Sequence, residues 1–209
     1  ENRVALLEDG ELAEIYIERP DIDRLVGNIY RGKVCSVLPG MQAAFVDIGY
    51  EKNAFLYAGD IIARKEYSED DDDHPHDVKN LNIADLVSAG QELTVQVIKE
   101  PMGSKGPRVT TNITLPGRHL VLLPDADYTG VSRRIEDEEE RAKLKKIAEK
   151  LKPEGMGLIV RTASEGMEEE DFTDDLDFLL KLWENIKKKE RSGPVPRCIH
   201  KDLSLVTGW

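Results

Sequence analysis

Alternation of apolar and polar positions dominates the first half of the chain, and a helical apolar period takes over in the second. Residues 3–7 and 12–17 alternate on either side of Glu8-Asp9-Gly10, which predicts a hairpin. A polar connector, 20–24, leads into β-periodic segments at 27–34, 38–49 and 53–57, the first two hinged at Pro39-Gly40. The pattern breaks over 58–78, where the run Asp70 to Asp73 precedes His74-Pro75-His76 and predicts a surface loop. A short helix is expected over 81–87. Strands follow over 93–98 and 108–113, with loop 102–107 between them.

Past residue 115 the period changes. Val121-Leu122-Leu123-Pro124 reads as a buried strand, and 137–151 as an amphipathic helix carrying Ala142, Leu144, Ile147, Ala148 and Leu151. Pro153-Glu154-Gly155 ends that helix, and 157–162 reads as a strand. A long helix is expected over 169–188, with Phe172, Leu176, Leu179, Leu180, Trp183 and Ile186 on one face. After Ser192-Gly193-Pro194 the chain turns extended, and it shows no internal repeat. Five strands with a helix between the third and fourth match an OB-fold, a small curled barrel suited to single-stranded nucleic acid. The expected fold class is α+β, with that barrel inserted in or beside an α/β unit.

Composition refines this picture. At 209 residues and 40% hydrophobic, the chain can build one large core or two small ones. Its apolar runs fall short of the roughly 18 residues of a membrane span, and a signal peptide pattern is missing. A chain opening on Glu1 is expected to be a fragment. Cys35 and Cys198 stand far apart and are expected to be free thiols in a reducing cytoplasm. The net charge of −12 argues against nucleic acid only at first sight. Much of the acidity is concentrated at 69–73, 136–140, 168–171 and in Asp174, Asp175 and Asp177, and outside these tracts basic residues outnumber acidic ones.

Several residues carry candidate chemistry. Phe45 and Phe55 either stack bases or point into the barrel, since alternation does not say which face is outward. Arg31 and Lys33 flank the same strands. Lys105 in Gly103-Ser104-Lys105-Gly106 either meets a phosphate or is simply solvated. Arg161 and Thr162, emerging from an apolar run, make either a phosphate clamp or a salt bridge toward Glu165 or Glu168. Ser132-Arg133-Arg134 either adds positive potential there or caps the acidic helix start that follows. His74 and His76 lack the fixed geometry of a metal site. No phosphate loop, nucleophile elbow or cysteine-rich ligand set occurs, so neither catalytic nor metal residues are assigned.

With these residues in view, the chain resembles the N-terminal part of the bacterial ribonuclease E/G family, endoribonucleases that cleave single-stranded RNA. The strings that carry the resemblance are GNIYRGKV (27–34), QAAFVD (42–47), GSKG (103–106), VSRRIE (131–136) and GMGLIVRTA (155–163). It implies three parts: 1–27, the start of an RNase H-like subdomain; 28–111, an OB-fold of the ribosomal protein S-one type; and 112–209, a 5′-sensor. By resemblance, Phe45, Phe55 and Lys105 contact RNA. Arg161 and Thr162 hold a 5′-terminal monophosphate, with backbone at Gly117 and Val121 completing a closed pocket too short for a triphosphate and Arg134 adding charge. The family's magnesium-binding aspartates and zinc-binding cysteines fall beyond Trp209, and the parent enzyme is expected to be a cytoplasmic homo-oligomer acting in RNA processing and decay. The rival expectation is a non-enzymatic OB-fold RNA-binding adaptor or translation factor.

Overall fold

The computed structural model describes residues 24–61 and 81–202, together with the backbone of 2–8 and 11–18. The acidic run 69–73, His74, His76 and most of the connector 20–24 lie outside the described residues. The first expected hairpin forms: strands β1 (Asn2–Glu8) and β2 (Glu11–Glu18) pair antiparallel from Asn2↔Glu18 to Glu8↔Glu11.

A closed five-stranded barrel follows. The ten-residue strand β3 (Ile29–Leu38) is its spine. It runs into β4 (Ala43–Asp47) and β5 (Ala54–Tyr57), then helix α1 (Ile83–Leu86), β6 (Glu92–Lys99) and β7 (Arg108–Thr110). Strand β3 pairs with β6 through its first half and β4 through its second, while β5 pairs with β7 in parallel and β7 with β6, which closes the wall. Val34, Ala44, Val46, Ala54, Leu56, Val95, Val97 and Val109 fill the interior, and Ile83 of α1 and the adjacent Val87 pack against them. The barrel's last strand is shorter than alternation predicts, because the Thr110 and Thr111 hydroxyls turn back to the Asp60 carbonyl (2.9 and 3.1 Å).

The chain then builds a second sheet in the order β10-β11-β9-β8, from β8 (Leu115–Pro116), β9 (Leu120–Leu123), β10 (Thr129–Val131) and β11 (Gly157–Val160). Helices α2 (Glu138–Leu151) and α3 (Glu169–Glu190) pack on it, burying Leu144, Ala148, Phe172, Leu176, Leu179 and Trp183 against Leu120, Leu122, Leu158 and Val160. The last strand, β12 (Arg197–His200), returns to pair with the first residues of β3. Ile29 and Ile199 join the second core there. The whole is α+β.

Two of the acidic tracts are helix starts. The Asp137 carboxylate accepts the Glu139 and Glu140 N–H groups (2.9 and 3.1 Å), and Glu168 with Asp171 closes a capping box on α3. Acidic side chains there meet the positive end of each helix dipole, so this charge supports the fold. Asp137, rather than the Arg133-Arg134 pair, caps α2.

Candidate nucleic-acid interface

Two surfaces gather the candidate residues. The first lies on the barrel wall. In β4 and β5 the neighbours Ala44, Val46, Ala54 and Leu56 are wholly buried, so the two-residue period turns Phe45, Phe55 and Tyr57 outward. Phe45 and Phe55 are Cα partners across the strands; their rings meet edge to face at 4.7 Å, and Tyr57 lies 5.5 Å from Phe55. The alternative in which these phenylalanines fill the barrel is therefore set aside by the structure.

Cations border these rings. Arg108, across from Phe55 on β7, lies 4.9 Å over the Tyr57 ring and is paired to Asp60 at 2.9 Å. Exposed Lys33 sits opposite Asp47. Arg31 is committed elsewhere, to Thr94 (3.1 Å) and to Glu190 of α3 (3.8 Å). Lys105 closes a tight turn in which Met102 and Lys105 exchange backbone bonds (3.1 and 3.0 Å) around Gly103 at φ +59°. That loop is seated against β5: Phe55 N–H donates to Pro107, Lys52 donates to the Gly103 carbonyl, and a Cβ on Gly106 would lie 2.0 Å from the Asn53 carbonyl. Exposed Lys105 thus stands near the end of the strand that carries Phe55. Tyr57, Arg108 and Lys52 were not singled out from the sequence. Only Tyr57 left a signal there, two residues beyond Phe55 on the same strand face.

The second surface lies where β11 ends. The strand stops at Val160, two residues short of the expected 162, and exposed Arg161 and Thr162 lead into a 3₁₀ turn. Arg161 Nη1 donates to the Gly117 carbonyl (2.6 Å), and the Thr162 hydroxyl bonds the Ser132 hydroxyl (2.6 Å). Among the described residues no carboxylate pairs with Arg161; Glu168 is held by Lys143 at 2.9 Å. The salt-bridge alternative for Arg161 does not form.

The backbone donors expected from Gly117 and Val121 are engaged. The Gly117 N–H bonds the Leu120 carbonyl (2.7 Å), so Gly117 serves the site through its own carbonyl. On the β9–β11 ladder the Arg161 N–H bonds the His119 carbonyl (2.9 Å). Hydrogen-bonded pairs alternate along an antiparallel ladder, so two residues on Val121 exchanges its backbone bonds with its partner Ile159. Both Arg161 and Thr162 are exposed. Arg134 is exposed beside the site, its N–H directed to Ser132 Oγ at 3.4 Å.

Both cysteines are unbonded thiols, and burial pushes the Cys198 thiol pKa up. Among the described residues, no group of three His, Cys, Asp or Glu side chains is placed to hold a metal, and no helix is long and apolar enough to cross a membrane.

The family model described as the ribonuclease E/G family matches residues 114–209. The chain is 48% identical over 205 residues to ribonuclease G of Haemophilus influenzae, covering 98% of the chain and 41% of that protein. To ribonuclease G of Escherichia coli K12 the identity is 45%, over 98% of the chain and 42% of the relative. To Escherichia coli K12 ribonuclease E it is 42% over 208 residues, covering 99% of the chain and 19% of the relative. The chain thus spans about two-fifths of the length of the ribonuclease G relatives. The solved structure of GSP13 from Bacillus subtilis aligns over 41% of this chain and 52% of its own, at 24% identity and a TM-score of 0.27, too little to carry an argument.

Proposed function

Because this chain is a fragment of a ribonuclease E/G family protein, we propose that it is the RNA-binding and 5′-end-sensing part of a single-strand-specific endoribonuclease. The observation that carries the reading is the second surface. A guanidinium is held by one backbone carbonyl, and a hydroxyl stands on the adjacent residue, both exposed at the end of a sheet. A 5′-monophosphate brings about −1.5 to −2 charges and three terminal oxygens, where an internal phosphodiester brings one charge and two free oxygens. The first fits a forked cation beside a hydroxyl better. On the barrel, the outward aromatic row with bordering cations supports stacking of single-stranded bases. An adaptor would share that barrel, but the family match falls on the second unit.

In this reading 1–27 opens an RNase H-like subdomain, 28–111 is the RNA-binding barrel and 112–209 is the sensor of a homo-oligomeric cytoplasmic enzyme. Magnesium and zinc are, by the resemblance, cofactors of the parent enzyme. The residues here bind and position RNA. The purified 209-residue chain, incubated with single-stranded RNA and magnesium, is accordingly expected to leave the substrate intact. Cleavage that survives repurification and is abolished by a point substitution in the chain would overturn this.

The reading is tested by comparing binding of two short single-stranded RNAs that differ only in a 5′-monophosphate or 5′-hydroxyl. The monophosphate is expected to bind more tightly. The second pKa of the monophosphate is about 6. Lowering the pH from 7.5 to 5.5 therefore converts the dianion to a monoanion and is expected to shrink the preference several-fold. A preference that does not change with pH would mean that the dianion is not what is recognised.

A further inference from the structure

Among the described residues, two charged side chains on the helices behind the second surface bond only to the loops that form it. Asp175 of α3 accepts three consecutive backbone N–H groups: Arg118 on Oδ1, and His119 and Leu120 on Oδ2, each at 2.9 Å. Those bonds fix the turn from which the Gly117 carbonyl reaches Arg161. The same carboxylate explains the glycine, because a Cβ at Gly117 would lie 2.5 and 2.6 Å from its oxygens. Arg141 of α2 does the converse for the other loop. Its Nη1 donates to the Ser132 and Ile135 carbonyls (2.6 and 3.0 Å) and its Nη2 to Val131 (3.3 Å), drawing three carbonyls back toward α2. Ser132 is left with its hydroxyl on Thr162.

We propose that Asp175 and Arg141 are positioning residues of the phosphate site, fixing the Gly117 carbonyl and the Ser132 hydroxyl that orient Arg161 and Thr162. The proposal rests on the sensor reading above. Neither residue contacts the phosphate. Asp175 lies in one of the acidic tracts, and its negative charge is tolerable near an anion because three N–H dipoles converge on it. Arg141 is the residue for the opposite task, since its planar fork spans three acceptors where a lysine ammonium is a point donor.

The test is the ratio of affinities for 5′-monophosphorylated and 5′-hydroxyl RNA of one sequence. It is measured by fluorescence anisotropy with the full-length protein and no added divalent metal. Asp175→Asn turns an amide donor toward N–H groups, and Arg141→Lys cannot hold three carbonyls. Each is expected to lower the ratio by roughly tenfold, the worth of one well-placed charge-assisted bond. A variant that merely unfolds in part loses both affinities in proportion and keeps the ratio. Where Asp175→Asn fails to fold, Gly117→Ala displaces the same carboxylate from the other side, and it is expected to give the same fall. An unchanged ratio in Arg141→Lys and in the folded variant at Asp175 or Gly117, while Arg161→Gln loses it, overturns the positioning role and leaves the sensor standing. Absence of any preference in the unsubstituted protein overturns both.

Discussion

Replacing Arg161 by Gln together with Thr162 by Val in the full-length enzyme is expected to erase most of the rate advantage of 5′-monophosphorylated over 5′-hydroxyl substrates. The substitution removes the guanidinium fork and one hydroxyl while keeping similar shape. Hydrogen bonds to a charged group are worth about 1.5–3 kcal/mol each, so losing even one well-formed bond lowers the ratio by roughly tenfold or more. The fold is expected to survive, since both side chains are exposed and, among the described residues, bond only to Gly117 and Ser132. Circular RNA, which has no 5′ end, is expected to be cut at nearly the original rate. The measurement is the ratio of kcat/KM for the two linear substrates, with the circular one as control. If all three rates fall in proportion, Arg161 and Thr162 serve the fold or a general RNA channel, and the sensor reading fails.

The second large effect is expected from Phe45→Ala with Phe55→Ala. Base–aromatic stacking is worth about 1–3 kcal/mol per base, so removing both rings is expected to weaken single-stranded RNA binding by one to several orders of magnitude. The outward placement of the rings allows a clean test, because the buried positions beside them are Ala44, Val46, Ala54 and Leu56. The double variant is expected to keep its circular dichroism spectrum while losing the ring contacts of Phe55 with Phe45 and Tyr57, about 0.5–1.5 kcal/mol per pair. The remaining affinity is expected to stay strongly salt-dependent, because the bordering cations are left in place. Binding that is unchanged in a folded double variant would remove the aromatic row from the RNA path.

Much of the fold is legible in residue order. Alternation in 42–48 and 53–57 and the apolar stripe Phe172, Leu176, Leu179, Trp183 and Ile186 each announce an element, because burial selects residues at the period of the backbone. Element ends are less legible. The run at 157–162 looks like one strand until the 3₁₀ turn at Thr162 releases Arg161, and the Thr110 and Thr111 hydroxyls shorten β7 by bonding Asp60. Such endings depend on partners that local sequence does not contain.

The sequence by itself determined the α+β class, the strand count of the barrel, the helix faces and the residue types able to meet RNA. Tertiary structure alone decided which way Phe45 and Phe55 face, since a period of two says which residues share a side and not which side is inside. It also decided that Arg161 meets Gly117, 44 residues away, and Thr162 meets Ser132, 30 away. Asp175 and Arg141 show the same limit most sharply. One stands in an acidic tract and the other carries no signal in the sequence, until folding brings three N–H groups to the first and three carbonyls to the second. A carboxylate or guanidinium takes its role from the backbone groups that converge on it, and that convergence exists only once distant segments have packed.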